Sequence, residues 1–388
     1  PTLRPAWMIR LGLFLYDHLG RRRRLPGSES VELRRHPAGG PLKPELTRGF
    51  AYSDCWVQDA RLVVLNAMDA AERGAEILPR TRCVAAERGP DGWRVTLRPA
   101  GGGTVRVVRA RCLVNAAGPW VKSFLQQTAG VVTDVRVRLV KGSHIVVPRL
   151  FEHSYCYIFQ NPDQRIVFAI PYEQDYTLIG TTDVAFEGDP AGAAIDAGEV
   201  DYLCEAINRY FNRSIAPGDV VWTYSGVRPL YDERGEENVS VVTRDYLLEL
   251  DRGQAPVLSV FGGKLTTYRK LAEEAMREIE AVLGGRRPAW TADAPLPGGD
   301  MPDADVDGYL KSLQERYPWL PPALVSRLVR HYGTRVERLL DGARSLGDLG
   351  ECYGADLYER EVAYLIAHEW GIIPATAKPN SAKAINAS

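Results

Sequence analysis

Apolar residues Trp7, Leu11, Phe14 and Leu15, with the semi-polar His18, recur at helical spacing, and the basic run Arg21 to Arg24 closes the segment. The pattern predicts an amphipathic helix over 7–19 with a basic exit. From 26 to 49 the chain is rich in proline, glycine and charge, shows little periodicity, and reads as loop. Helical spacing returns over 62–73 and stops at Gly74, a residue type that tolerates the left-handed C-cap conformation. Two short strands and a hairpin are expected next: 93–97 and 105–109 alternate in and out, and Gly101-Gly102-Gly103 supplies the turn. A short apolar strand at 112–114 then runs into Asn115-Ala116-Ala117-Gly118-Pro119-Trp120. Pro119 suits the first turn of a helix, so this is a strand, a tight small-residue turn and a helix start, where a ligand can approach the backbone closely.

Between 138 and 226 strand signals dominate, at 145–147, 155–159, 166–170, 176–180 and 220–224. One helix interrupts them, with Val200, Leu203, Ile207, Tyr210 and Phe211 on one face. Strands in succession indicate a mostly antiparallel sheet and an α+β domain. A buried strand at 257–261 leads through Gly262-Gly263 into a helix over about 266–283, with Leu271, Ala275, Ile279 and Val282 on its core face and Gly284 at its end. The Pro/Gly-rich stretch 288–303 reads as a linker. Helical patterns at 306–316, 322–332, 335–340 and 358–370 follow and predict a small all-helical C-terminal domain, and 371–388, poor in aromatics, is expected to be loosely held.

The chain has 388 residues, 45% hydrophobic and 25% charged, with a formal net charge of -1. That composition is ordinary for a globular protein of two or three domains and excludes disorder, collagen and coiled coil. No apolar run approaches the ~20 residues that span a bilayer. Charge neutrality speaks against a general nucleic-acid binder. The six cysteines, at 55, 83, 112, 156, 204 and 352, form no CxxC pair and read as reduced, buried thiols in a reducing compartment, with the cytoplasm as the default. The sequence opens at Pro1 in what looks like mid-domain material and contains no GxGxxG, so whatever would bind a dinucleotide's pyrophosphate is expected to be either absent or upstream.

The strongest local chemical signal is Phe261-Gly262-Gly263-Lys264-Leu265-Thr266-Thr267. A buried strand, two glycines and a helix start place free N–H groups and a positive dipole end at one spot, with Lys264 adding charge at the mouth. Taken alone it reads equally as a plain turn capped by Thr266. Arg228 and Arg244 each stand beside a short strand; two converging guanidiniums would grip a phosphate or carboxylate, while a lone arginine reads as a surface partner of a carboxylate such as Asp245. His144 lies where the polar stretch Lys141-Gly142-Ser143 enters an apolar strand and could accept a proton near neutral pH, or be a hydrogen-bonded core histidine. Gly180-Thr181-Thr182-Asp183 reads as a turn in which Asp183 caps backbone N–H groups. No HExxH, GxSxG or Walker sequence supports a hydrolase or an NTPase.

Seven segments stand in a telling order: YSDCWVQDARL (52–62), LVNAAGPWV (113–121), KGSHIVVP (141–148), IGTTD (179–183), WTYSGVRPL (222–230), VTRDY (242–246) and SVFGGKLTTYRKLAE (259–273). With them the chain closely resembles the FAD-dependent, aerobic, quinone-linked glycerol-3-phosphate dehydrogenases, from residue 1 to about Trp370. The family opens with a Rossmann unit bearing GxGxxG, which this sequence lacks, and the tail after Trp370 departs from the family's helical ending. The resemblance implies an α/β and α+β fold: an FAD-binding Rossmann-like domain, incomplete at its N-terminus, over 1–134; an antiparallel-sheet substrate domain over 135–256; a return strand and helix of the FAD domain over 257–287; and a linker with the helical C-terminal domain over 288–388.

It also implies roles. Arg228 and Arg244 would hold the phosphate of glycerol 3-phosphate, with Lys264 near the substrate oxygens and the flavin. His144 would sit by the C2 hydroxyl as the candidate base, Lys264 being the other candidate, while hydride leaves C2 for flavin N5. Gly262, Gly263, Leu265 and Thr266 would line the isoalloxazine; Asn115, Ala116, Ala117 and Gly118 would approach the FAD pyrophosphate or ribose; Val84 would touch the adenine region; Asp59 and Arg61 would order the flavin-domain wall. The product would be dihydroxyacetone phosphate and the electron acceptor a membrane quinone, which implies peripheral contact with the inner face of the plasma membrane and allows a homodimer. Of two basic amphipathic helices, 7–24 and 266–280, at most one would be the anchor. An oxidase passing electrons to O₂, a fragment unable to retain FAD, and an amino-acid oxidase remain alternatives.

Overall fold

The computed structural model describes residues 5–19, 25–232 and 245–372, and its contacts divide the chain into two compact units. The first unit takes residues 1–55, 83–96 and 106–286. Its strands, in chain order, are β1 (Glu29–Glu32), β2 (Arg48–Ala51), β3 (Thr81–Gly89), β4 (Gly92–Pro99), β5 (Arg106–Ala110), β6 (Leu113–Asn115), β7 (Val137–Pro148), β8 (Tyr157–Gln160), β9 (Ile166–Tyr172), β10 (Tyr176–Gly180), β11 (Val184–Ala185), β12 (Trp222–Tyr231), β13 (Tyr246–Asp251) and β14 (Val257–Gly262). The ends of β3 and β4 reach into segments that the second unit claims.

β7 organises the largest sheet. Its order is β11-β7-β10-β9-β8, with β12 also paired to β7, and every ladder is antiparallel, as the succession of strand signals predicted. Ile145, Val147, Val167, Ala169 and Ile179 are fully buried and pack with Leu203, Ile207 and Phe211 from the helix Ala197–Asn208 and the turn after it. That is the helical face read from the sequence, continued by Tyr210 and Phe211 beyond the helix end. An Asp196–Glu199 capping box starts this helix, satisfying donors that a helix's first turn leaves open.

A second sheet has the order β13-β14-β6. β13 runs antiparallel to β14, and β6 runs parallel to it, with Asn115 opposite Ser259. The parallel pair joins strands far apart in sequence and makes this sheet mixed. β3, β4 and β5 form a third sheet, tied to the start of β14 by the Trp93 indole N–H, which donates to the Pro256 carbonyl at 2.8 Å.

The second unit takes residues 56–82, 97–105 and 287–388. The helices Val306–Arg316, Pro322–Tyr332, Val336–Leu340 and Glu359–His368 enclose a core of Leu313, Leu324, Val325, Leu328, Leu339 and Leu340, so the helical periodicity after the linker was a true signal. The helix Asp59–Glu72 belongs with them. Arg61 donates to the Glu369 carboxylate and, at 3.1 Å, to the His331 carbonyl.

Three expectations need correction. Residues 26–49 are more than loop: β1 and β2 pair over Glu29–Glu32 and Arg48–Ala51, too short and too charged for periodicity to reveal. Only Cys204 of the six cysteines is buried; Cys55, Cys156 and Cys352 are exposed. The helix after β14 begins at Tyr268, behind a 3-10 turn Leu265–Thr267, and among the described residues Thr266 caps neither; the Thr267 hydroxyl donates to the Lys264 carbonyl instead.

Candidate functional site

β7 alternates as a strand must, so Val140, Gly142 and His144 share one face while Lys141, Ser143 and Ile145 share the other. Register with β12 sets Tyr224 opposite His144, Gly226 opposite Gly142 and Arg228 opposite Val140. One sheet face therefore carries His144, Tyr224 and Arg228 together. The His144 imidazole stacks on the Tyr224 ring, with centroids 4.7 Å apart and planes inclined by 10°. On its other side Gly180 of β10 is the ladder partner, and any Cβ there would collide with the imidazole. Gly142 does the same for Arg228: a Cβ would lie 2.6 Å from Nη2. The two glycines are the room in which these side chains lie flat on the sheet.

Arg228 is held from beneath by the segment that leaves β10. Its Nη1 pairs with the Asp183 carboxylate and its Nη2 donates to the Thr181 hydroxyl at 3.2 Å. Asp183 is thus an arginine partner, and the sequence reading of it as a cap for backbone N–H groups is replaced. A guanidinium has five donors, so among the described residues the remainder of the fork stays available to an anion on this half-exposed side chain. The charge reaches His144. Burial, and then the Arg228 charge, lower the imidazole's pKa from 6.5 to about 4, and its Nδ1 is shut away from solvent with no partner among the described residues. A histidine held neutral at physiological pH can accept a proton and does not need to lose one first.

β14 ends at a second cluster. Gly262 and Gly263 adopt φ of 77° and 102°, a region where a side chain is strained, and a Cβ on Gly262 would lie 2.6 Å from the Asp245 carbonyl. Lys264, Leu265 and Thr266 follow, all exposed. The Gly262 backbone packs beside Tyr231 at the end of β12, which links this turn to the strand that carries Arg228. At the end of β6, Asn115 is buried; its amide donates to the Val121 carbonyl at 3.0 Å and its Oδ1 accepts from Ala117 N–H at 3.3 Å. That side chain pins the Ala116-Ala117-Gly118 turn, and Pro119 occupies the first positions of the 3-10 turn Gly118–Trp120, as its fixed φ suggested. Val84 is half-buried in β3, away from both turns in sequence and sheet. Asp59 stands exposed at a helix start, accepting from Ala60 N–H. Arg244 lies outside the described residues.

Comparison with known proteins gives this arrangement a context. Residues 2–269 match the family model described as DAO, FAD dependent oxidoreductase. A glycerol-3-phosphate dehydrogenase of Pseudomonas aeruginosa is 52% identical over 372 residues, covering 95% of this chain and 72% of that protein. The chain belongs to the FAD-dependent glycerol-3-phosphate dehydrogenase family. A D-erythritol 1-phosphate dehydrogenase of Brucella abortus is 50% identical over 371 residues, 95% of this chain and 74% of that protein. In structure, the glycerol-3-phosphate dehydrogenase of Bacillus halodurans complexed with FAD superposes with a TM-score of 0.74 at 25% identity, covering 88% of this chain and 67% of that one.

FAD is the cofactor of this family, and the residues present fit it. The turns after Asn115 and after Gly262 leave the carboxyl ends of the neighbouring parallel strands β6 and β14, where α/β sheets take up nucleotides, and at Gly262-Gly263 no Cβ stands between a planar ring and the backbone. Sequence reasoning missed Tyr224, Gly142 and Gly180 as parts of the site. The signal for the glycines was available: each lies within a strand pattern, where glycine marks close approach.

The environment of His144 makes a pH prediction. Its imidazole should titrate near pH 4 by NMR, and Arg228→Gln should raise that value by removing the second cause. Between pH 6.5 and 4 the unfolded chain binds a proton that folded His144 refuses, so stability falls as pH drops through that window. A titration near 6.5 would contradict the described burial.

Proposed function

We propose that the protein oxidises sn-glycerol 3-phosphate to dihydroxyacetone phosphate and delivers the electrons to a membrane quinone. The observation that carries this reading is a cation and a neutral base on one sheet face: Arg228, braced by Asp183 and Thr181, and His144, braced by Tyr224. The substrate has matching ends, a phosphate and a secondary alcohol. In this reading Arg228, together with Arg244, holds the phosphate bidentately. His144 removes the C2 hydroxyl proton, and Lys264 stabilises the growing negative charge on that oxygen. FAD, when bound, supplies the acceptor for the hydride that leaves C2. Gly262, Gly263, Leu265 and Thr266 would face the flavin ring, Asn115 to Gly118 the pyrophosphate or ribose, and Val84 the adenine region. Residues 135–256 then serve the substrate, and 1–134 with 257–287 serve the cofactor.

A second reading has a specific observation behind it. The D-erythritol 1-phosphate dehydrogenase is as similar to this chain as the glycerol-3-phosphate dehydrogenases are, and its named substrate also joins a phosphate to secondary alcohols. Assaying both polyol phosphates separates these readings, and peroxide yield against reduction of a quinone analogue separates oxygen from quinone as acceptor. The expected result is glycerol 3-phosphate oxidation with little peroxide.

Two substitutions test the roles. His144→Ala should lower kcat by about 100-fold or more while changing KM little, because a base acts in the transition state. Arg228→Ala should raise KM and lower kcat together, costing about 2–5 kcal/mol in kcat/KM, because phosphate binding energy also positions the reacting carbon. Unchanged kcat in His144→Ala would leave Lys264 as the base.

The quinone demands a membrane surface, and the helix Ala6–His18 is the proposed contact. It has no buried residue; Trp7, Leu11, Phe14 and Leu15 are exposed on it, and four arginines follow at 21–24. The rival helix Tyr268–Leu283 spends its basic residues internally, Arg269 and Lys270 on Glu273 and Arg277 on Glu274. No helix among the described residues is long and apolar enough to cross a membrane. Replacing Arg21 and Arg23 together by Glu should reduce co-sedimentation with anionic liposomes; unchanged binding removes this helix as the contact.

A further inference from the structure

The face of β7 and β12 opposite His144 and Arg228 holds a cluster of buried polar groups that the chemistry above does not use. At its centre is Glu199, 6% exposed. Its Oε2 receives the Lys141 ammonium at 2.7 Å and the Asp196 N–H at 3.0 Å. Its Oε1 accepts the Ser143 hydroxyl at 3.0 Å and the Thr182 hydroxyl at 2.6 Å. Lys141 also donates to the Ala194 carbonyl at 2.8 Å, and the Ser143 and Ser225 hydroxyls bond at 2.8 Å. The carboxylate is a node between the start of the helix Ala197–Asn208, two residues of β7, and the segment that leaves β10. Burying a charge there costs desolvation that pairing only offsets, whereas apolar residues would pack at no such cost. What the cluster does supply is a fixed position.

That position is Thr182. Besides reaching Glu199, its hydroxyl accepts the Ser143 N–H at 2.9 Å, and its own N–H donates to the Ser143 carbonyl at 3.3 Å. β10 ends at Gly180 and β11 begins at Val184, so residues 181–183 have no regular ladder to hold them. The three alternate: Thr182 turns to Glu199, while Thr181 and Asp183 turn to the other side and hold Arg228. We propose that Glu199, acting through Thr182, is a positioning group that fixes the Thr181-Thr182-Asp183 arch and thereby aims the Arg228 guanidinium at the substrate's anion. This rests on the reading of Arg228 as the phosphate grip. Glu199 and Thr182 touch no reacting atom, and their effect is confined to the geometry of the cation.

The test uses the FAD-loaded enzyme, with inorganic phosphate as a competitive inhibitor that probes the anion site without the alcohol chemistry. Thr182→Val keeps the shape and removes the hydroxyl; it should weaken phosphate inhibition about tenfold and raise KM more than it lowers kcat. Thr182→Ser should restore both to within about twofold of the parent. Ser225→Ala, which disturbs the same cluster without touching Thr182, should leave phosphate inhibition unchanged. In an Arg228→Ala background, where inhibition is already weak, Thr182→Val should add nothing, because its effect runs through that side chain. Should Thr182→Val fail to accumulate, Thr182→Cys, of similar volume and with only a weak donor, is read in its place. Wild-type phosphate inhibition in the Thr182 variant, alongside its loss in Arg228→Ala, overturns the proposal and spares the reading of Arg228. Wild-type inhibition in Arg228→Ala overturns that reading and the proposal with it.

Discussion

The chemistry of this protein depends on one strand, β7, being paired along both edges. Twelve residues long, it meets β12 on one side and β10 and then β11 on the other. Double pairing locks its register, and a strand of locked register sorts its side chains to two faces without exception. Lys141-Gly142-Ser143-His144 is thereby divided: charge and hydroxyl go to an interior network, glycine and imidazole to the working face. A slip of one residue would turn His144 into the interior network and Lys141 onto the working face. The burial that lowers the basicity of His144 and the salt bridge that holds Lys141 charged are consequences of that same register.

Around this strand the fold solves an electrostatic problem. A pocket for a phosphate needs a cation, and a base beside the reacting alcohol needs to be neutral; a neighbouring positive charge serves both needs, since it attracts the anion and disfavours a second proton on the imidazole. In the proposed reading Arg228 does both, and Asp183 and Thr181 support it. The mixed sheet contributes separately. Its parallel pair brings the Asn115 turn and the Gly262-Gly263 turn to the same end, and the small residues in both leave the backbone open to close approach.

Much of this was legible in the sequence because the signals were local. The glycine pair after β14, Pro119 at a helix start, the helical stripes at 306–316 and 322–332 and the polar entry into β7 all depend on residues within a few positions of one another. The missing parts are those that depend on pairing across the sheet. Asp183 and Arg228 are 45 positions apart, and Ser143 and Glu199 are 56 apart; no spacing rule connects them until the register of β7 is known. Tyr224 read as one more strand residue until β12 placed it against His144. The β1–β2 ladder escaped for a different reason, since four-residue strands carrying three charges between them show no alternation to detect. Resemblance to a family filled part of the gap: it implied a phosphate for Arg228, with Arg244, and an alcohol for His144, but it could not say what holds either Arg228 or His144.

The central claim is that a phosphate grip and a neutral imidazole on one sheet face make a polyol-phosphate oxidising centre. The most direct measurement is the visible absorbance of the purified flavoprotein, recorded without oxygen before and after sn-glycerol 3-phosphate is added, with unphosphorylated glycerol as the control. The account predicts that the oxidised flavin band bleaches with the phosphate ester and persists with glycerol. A band that glycerol bleaches equally well, or that neither glycerol 3-phosphate nor D-erythritol 1-phosphate changes, would contradict it.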